Sequence, residues 1–367
     1  MLYIFNSGYH ASYVENIYKT LFLQNDSINT YRYKFEGTHK RIDSITHQRL
    51  NECINDEVMI IYADRFSESD EYIYYPLRIG KLVYYLNELD KVVLYLKMDD
   101  FIYTKNIEKF QTFINEVTYS NLPKKDVNNE SKEIGYYVVY NKNEFAKSDF
   151  ILGEDAWKEI CSALYSTKVF HYKETDDNNG VEKDTIFTKI TIFDGKGRPI
   201  KPKYAKYQTE PLFFYDATIN KSYDLRLDFF YPTSYFFPHR KLYLKIVDNF
   251  NDKCIKDYTV GSNRDSFHSI ILFNKNIHLK GLNEIYIKYI SQDDASICTN
   301  SKNIFFNVNE NKRVLTINLI IIVLYSISLG IGLYYQSQNI YLITSFKIIE
   351  LFCIMLLFML YGNRKNI

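Results

Sequence analysis

The chain has 367 residues, with 45 Lys and Arg against 44 Asp and Glu, a formal net charge of +1, and 46% hydrophobic residues. That length suits two or three folded units, and the balanced charge argues against wholesale coating of nucleic acid or anionic lipid, though not against one local patch. Cys53, Cys161, Cys254, Cys298 and Cys353 are scattered without CxxC spacing, so they read as reduced thiols in a cytosolic setting rather than a disulfide framework or zinc site.

The opening residues, Met1 to Gly8, carry no basic region followed by an apolar stretch and small-residue cleavage site, so no signal peptide is expected. Leu2 to Phe5 predicts a buried strand. An Asn6-Ser7-Gly8 turn then leads to a helix with Val14, Ile17, Tyr18 and Leu21 on one face and a Ser12/Glu15 capping box. A second helix is expected near Ile45 to Ile54, then a strand at Val58 to Tyr62. Short strands follow at Ile73 to Leu77, Gly80 to Leu86 and Lys91 to Lys97, with Asn87 to Asp90 as a turn. They suggest a small β-barrel or curled sheet inside an α+β N-terminal region.

Ile107, Phe110, Ile114 and Val117 mark an amphipathic helix. Residues 121–135, rich in Lys, Asn, Glu and Ser, read as a linker or long loop. A strand at Tyr136 to Tyr140, a helix carrying Trp157, Ile160 and Leu164, and a polar loop at Glu174 to Lys183 complete a first region of residues 1–183. From 184 to 310 the period is mostly two. Tyr223, Leu225, Leu227 and Phe229 alternate with Asp224, Arg226 and Asp228, and similar patterns recur at Leu242 to Ile246, Phe267 to Phe273, Ile285 to Tyr289 and Ile304 to Val308. Strands of this kind between turn-rich segments predict an immunoglobulin-like β-sandwich.

Two apolar runs, Val314 to Tyr335 and Ile340 to Tyr361, follow, separated only by Gln336 to Asn339. At ~1.5 Å per residue each is long enough for the ~30 Å hydrocarbon core of a bilayer. The expectation is a transmembrane hairpin over 314–361. Lys312 and Arg313 flank one end and Arg364 and Lys365 the other, so the positive-inside rule places both termini in the cytoplasm. Lys347 and Glu350 sit inside the second run, with Glu350 near its middle. An ionisable side chain there costs about 2.5 to 3.5 kcal/mol on insertion scales, so it normally faces a partner or water. Asn318, Tyr325 and Gly332 recur at seven-residue spacing, and Ser326 with Gly330 and Ser328 with Gly332 make small-xxx-small pairs that permit close helix contact. These residues form a candidate membrane or pore seam. The plainer reading is a neutralised Lys347/Glu350 pair in an anchor.

No P-loop, dinucleotide fingerprint, nucleophile elbow or HExxH motif is present, and the His residues are dispersed, so neither catalytic nor metal-ligating residues are assigned and no cofactor is expected. The Asn6-Ser7-Gly8 turn before a helix offers backbone N–H groups to a phosphate, an element ordinary α/β folds share. Arg32, Tyr33 and Lys34, with Lys40 and Arg41, interleave bases with aromatics as single-stranded nucleic-acid binders do. On a strand the same pattern means core inside and charge outside. Lys196, Arg198, Lys201 and Lys203, in a Gly/Pro-containing stretch, are a second candidate ligand-binding group, or a solvated hairpin loop.

A long body with no enzyme motif, followed by two apolar runs with Lys347 and Glu350 inside, resembles the two-helix membrane effectors of bacterial antiphage defence, and in domain order the Hailong-type effector. The resemblance implies a non-enzymatic protein of the bacterial inner membrane. Its cytosolic part would sense a nucleotide or short single-stranded nucleic acid made by a partner enzyme, and its helices would assemble as a homo-oligomer to breach the membrane. The rival readings are a non-conducting membrane-anchored scaffold that binds proteins and a membrane-tethered enzyme.

Overall fold

The structure, a computed structural model, describes residues 1–7, 11–34, 41–65, 72–121, 137–167, 169, 171–173, 182–184, 187–207, 210–218, 221–230, 242–248, 258–260, 267–271, 275–276, 281–291, 302–309, 319–329 and 347. The first elements are β1 (Leu2–Ser7), α1 (Ala11–Phe22), β2 (Ile28–Lys34), α2 (Ser44–Arg49), β3 (Glu57–Arg65), β4 (Tyr72–Glu88) and β5 (Lys91–Thr104). They continue with α3 (Ile107–Asn121), β6 (Tyr137–Tyr140), β7 (Phe150–Leu152) and α4 (Gly153–Leu164). The strands form one curled, seven-stranded mixed sheet, a half-barrel, in the order β2-β5-β4-β3-β1-β6 with β7 paired to β5.

One strand in from the β6 edge, β1 runs parallel to β3, Leu2 beside Val58 and Asn6 beside Tyr62, and antiparallel to β6. Every residue of β1 is buried, because both faces of the sheet are covered. Leu2 and Ile4 join Val14, Ile17, Tyr18 and Leu21 of α1 and Trp157, Ile160 and Leu164 of α4 in one core. Tyr3 and Phe5 join Phe110, Ile114 and Val117 of α3 in another. Double cover explains why β1 reads as an unbroken apolar run rather than an alternating one.

Bulges supply the curl. The β3/β4 register slips between Ile60 and Ile61, and the β4/β5 register slips between Arg78 and Gly80 and between Leu82 and Tyr84. Each inserted residue bends its strand and sharpens the local twist. The expected strands Ile73 to Leu77 and Gly80 to Leu86 are therefore one element, β4, bent rather than broken between them. At Gly80 a Cβ would overlap the backbone carbonyl of Lys97 on β5, so only glycine permits this strand approach.

Arg78 sits at the bulge, fully buried. Its Nη1 donates to the carbonyls of Thr20, at 2.9 Å, and Leu23, both at the end of α1. Nη2 donates to Asn25 Oδ1 at 2.7 Å and the Asp99 carbonyl at 3.1 Å, and Nε donates to the same carbonyl at 3.2 Å. The guanidinium also lies 4.2 Å from the centre of the Phe101 ring. A helix C-terminus presents unpaired carbonyls and partial negative charge, and Arg78 answers both. Burial pulls its pKa down to about 9, still on the charged side of neutrality.

The second helix is shorter than expected, Ser44–Arg49 rather than Ile45 to Ile54. α1 begins at Ala11, with Ser12 in its first turn, and Glu15 pairs with Lys19 at 2.8 Å. At α2 the cap is Asp43, whose carboxylate accepts from the Thr46 N–H at 2.5 Å. Most of the 121–135 stretch, and residues 174–181 of the expected polar loop, lie outside the described residues. Lys183 belongs to a strand rather than that loop.

The later strands are β8 (His171–Lys173), β9 (Glu182–Asp184), β10 (Phe187–Asp194), β11 (Lys203–Tyr207), β12 (Glu210–Thr218) and β13 (Ser222–Phe230). They continue with β14 (Leu242–Asp248), β15 (Tyr258–Val260), β16 (Phe267–Ile271), β17 (Lys275–Asn276), β18 (Gly281–Ser291) and β19 (Lys302–Asn309). One four-stranded sheet has the order β10-β13-β16 with β17 on β13, a six-stranded sheet has the order β11-β12-β19-β18-β14-β15, and β8 pairs with β9. Phe187 and Phe230 enter the same core as α1 and α4. Gln24 acts as a backbone surrogate: its Nε2 donates to the Ile200 carbonyl and its Oε1 accepts from Ile192 N–H at 3.0 Å. Lys189 pairs with Glu154 and with Asp228, at 3.7 Å, and lies 4.9 Å from the Trp157 ring centre. The chain divides into two compact units, Met1–Asp216 with Lys221–Asn276 and Leu282–Asn307, and Ala217–Asn220 with Ile277–Gly281 and Val308–Ile367.

Removing the guanidinium tests this framework. Arg78→Met strips the donor from the Thr20, Leu23 and Asp99 carbonyls, and at ~1–3 kcal/mol per stranded buried group the variant should lose about 3 kcal/mol or more in urea unfolding followed by circular dichroism. Gly80→Ala should lose about 1–3 kcal/mol through strand displacement. An Arg78→Met midpoint equal to that of the parent protein would contradict the capping role.

Candidate functional site

The carboxyl ends of the parallel strands β1 and β3 carry a row of polar and aromatic side chains on the α1 face. Asn6, in register with Leu2 and Ile4, is fully buried, and neither its amide nitrogen nor its amide oxygen has a hydrogen-bond partner. Tyr62 is its neighbour across the parallel register and Tyr75 is the next across β3/β4. The Tyr62 and Tyr75 rings stack with centroids 6.0 Å apart, and the Tyr62 hydroxyl donates to Asp64 Oδ1 at 2.7 Å.

Burial, then the Asp64 carboxylate, pushes the Tyr62 hydroxyl well above its ordinary value. The same two causes, with Tyr103 after them, push Tyr75 up to about 12. Burial and then Glu159 raise Tyr103. All three phenols therefore remain protonated donors at neutral pH. Asn6 and Tyr62 are buried, whereas Asp64, Tyr75 and Tyr103 are half-exposed, so the row runs from the interior to a rim.

α1 packs back over the β1 face that carries Leu2 and Ile4. Because β1 ends at Ser7 and α1 begins at Ala11, only three residues of chain separate the Asn6 end of the strand from the first turn of α1. That turn contains no acidic residue, leaving its positive dipole end uncompensated by its own side chains. The arrangement offers an amide, a carboxylate, phenolic donors, ring faces and helix N–H groups.

The cationic residues singled out in the sequence take other positions. Tyr33 is buried while Arg32 and Lys34 are exposed on the other face of β2, and Arg41 is half-exposed, its backbone N–H bonded to the Lys34 carbonyl at 2.9 Å. Lys40 lies outside the described residues. Arg198 forms a two-pronged pair with Asp194 at 3.0 and 2.8 Å, and backbone and side-chain bonds from Arg198 hold that carboxyl down at about 2. Lys196 donates its backbone N–H to the same carboxylate, Lys201 pairs with Asp26 at 2.8 Å and Lys203 with Asp216 at 2.6 Å. These residues do not converge on the Asn6 row.

Of the membrane-seam residues, Tyr325, Ser326, Ser328 and Lys347 are described, and Asn318, Gly330, Gly332 and Glu350 lie outside the described residues. Residues 319–329 are helical. Ile321 and Ser328 are buried and Tyr325 is half-exposed. Leu319, Ile320, Ile322, Val323, Leu324 and Ile327 are 49–62% exposed. Ser326 is exposed and its hydroxyl donates to the Ile322 carbonyl at 2.9 Å. Among the described residues no helix is long and apolar enough to cross a membrane.

Among the described residues no group of three or more His, Cys, Asp or Glu side chains is placed to hold a metal ion. Cys53 and Cys161 are buried free thiols. Burial pushes the Cys53 thiol up to about 11 and raises Cys161 well above its ordinary value, the opposite of an activated nucleophile. The expected Asn6-Ser7-Gly8 turn is corrected: Asn6 and Ser7 are the last two residues of β1, and Gly8 lies outside the described residues. No sequence pattern singled out Tyr62, Asp64 or Tyr75. The available signal was a buried polar residue at the end of an apolar strand. No protein-family model matches the chain, and no curated protein matches it.

Asp26, where Lys97, at 2.5 Å, and Lys201 meet, reports acid sensitivity. Burial would raise this carboxyl, but the bonds from Lys201 and Lys97 outweigh it, so the pKa falls below its ordinary 3.8. A depressed carboxyl stabilises the fold above its unfolded pKa, and that stabilisation is lost as pH falls through the folded value. Asp26 has φ of 68°, a conformation Asn also tolerates, so Asp26→Asn removes charge without backbone strain. It should cost about 0.5–1 kcal/mol at pH 7 and flatten the decline below about pH 4. Thermal melts of both proteins across pH 3–7 measure this, and parallel declines would refute it.

Proposed function

We propose that the chain is a membrane effector of bacterial antiphage defence. Its large N-terminal part is a cytosolic sensor of a nucleotide or short nucleic acid, and its C-terminal helices assemble in the inner membrane to form a pore or disrupt the bilayer. Both chain termini are cytoplasmic in this reading, and the protein is not an enzyme. The antiparallel strands between residues 184 and 310 are the faces of an immunoglobulin-like sandwich that precedes the membrane helices.

The observation that carries the proposal is the helix at residues 319–329, whose large apolar side chains are exposed on most of its surface. An apolar helical surface of this kind is unfavourable in water and suited to lipid. Lys347, helical and exposed, belongs to the following apolar run, where a charged group requires a partner helix or water. Oligomerisation follows from geometry, because two helices alone cannot enclose a water path.

The test is expression of the full chain, followed by membrane fractionation and measurement of membrane potential. The parent protein should sediment with membranes and depolarise cells. A Lys347→Leu/Glu350→Leu double variant should remain in membranes, because apolar replacements ease insertion, and should fail to depolarise. A membrane-bound but silent parent protein would favour the scaffold reading. A double variant that still depolarises would refute the polar seam.

A further inference from the structure

We propose that the carboxyl ends of β1 and β3, together with the first turn of α1, form a nucleotide-binding site with Asn6 at its floor. The inference deepens the effector reading by naming the sensing site, and rests on that reading only for what binding would cause.

Asn6 is the starting point. Buried polar groups are ordinarily hydrogen-bonded, and Arg78 and Gln24 in the same part of the fold have their partners. Asn6 has none at either amide atom although it is fully buried. A side chain held in this condition is satisfied when a bound group supplies both an acceptor and a donor.

Its surroundings state which group. Only three residues of chain separate the Asn6 end of β1 from the first turn of α1, and a helix N-terminus turns N–H groups and positive dipole toward an anion. Ligands of parallel sheets collect at the carboxyl ends of their strands. A phosphate at this end would accept from the helix and from Asn6 Nδ2, leaving Asn6 Oδ1 to accept from a sugar hydroxyl. Toward the rim the row continues with the Asp64 carboxylate, a further acceptor for sugar or base donors, and the half-exposed Tyr75 and Tyr103. These rings offer faces on which a base stacks. Strands lie ~4.8 Å apart, so the row from Asn6 through Tyr62 to Tyr75 spans about 10 Å, comparable to a nucleotide from phosphate to base. Asp64 and Glu159 at the rim repel phosphate, which fixes the orientation with phosphate inward.

The experiment uses the full chain in detergent micelles. Equilibrium binding is measured for the four ribonucleoside triphosphates, the four deoxyribonucleoside triphosphates, a single-stranded oligothymidylate and inorganic phosphate. At least one nucleotide or the oligonucleotide should saturate, and the two classes separate a free from a strand-borne source. Asn6→Leu should weaken that binding by about tenfold or more while keeping the parent melting temperature, since it removes a polar group with no internal partner. Tyr75→Leu, on the half-exposed rim, should weaken binding independently. Saturation by none of the nucleotides, inorganic phosphate binding as tightly as any nucleotide, or Asn6→Leu and Tyr75→Leu binding like the parent would each overturn the site. Nucleotide binding that Asn6→Leu abolishes, in a protein that never depolarises membranes, upholds the site and removes the effector reading instead.

Discussion

One buried guanidinium organises the N-terminal part of this chain. Arg78 projects from the bulged strand β4 into the carbonyl end of α1 and also takes the Asp99 carbonyl across the β4/β5 bulge. Helix and bulge therefore share one set of donors, so the sheet's curl and the helix's position are set together. Two consequences follow from where α1 ends. Gln24, just beyond it, is placed to clamp Ile192 and Ile200, and Thr20, inside it, meets the hydroxyl of the buried Tyr31 on β2.

Buried polarity here comes in two forms. Arg78, Gln24 and Lys189 are partnered by carbonyls, amides or carboxylates, and each joins elements distant in sequence. Fully satisfied groups of this kind rigidify a core and specify one arrangement. Asn6 has neither donor nor acceptor satisfied. In the proposed site that unsatisfied amide is the group a ligand would complete. The exposed apolar surface of residues 319–329 is a parallel case in apolar chemistry, a surface suited to an environment other than water.

Local periodicity made much of the fold legible. The faces of α1, α3 and α4 follow from Val14 and Ile17, from Phe110 and Ile114, and from Trp157 and Ile160, because helical spacing alone brings each set together. The parallel pairing of β1 with β3 was not legible, since partner choice between strands leaves no mark on either one. Bulges escaped for a related reason. The extra residue at Leu77 resembles a break between two strands, the one at Val83 leaves no mark within the expected strand Gly80 to Leu86, and the closeness that demands Gly80 arises only after β5 is in place. The basic stretch from Lys196 to Lys203 looked like a free patch because two of its partners, Asp26 and Asp216, lie elsewhere in the chain. At the candidate site Asn6 reads as a turn residue in the sequence but is a strand residue of β1, and Tyr62, Asp64 and Tyr75 join it only through sheet register.

The central claim is that one chain couples occupancy of the Asn6 row to events in a bilayer. Its most direct test is ion flux from proteoliposomes containing the purified full chain, recorded before and after addition of the nucleotide that binds. The account predicts a flux that changes on addition in the parent protein and does not change in Asn6→Leu. A flux indifferent to a nucleotide that binds, or a response preserved in Asn6→Leu, would contradict it.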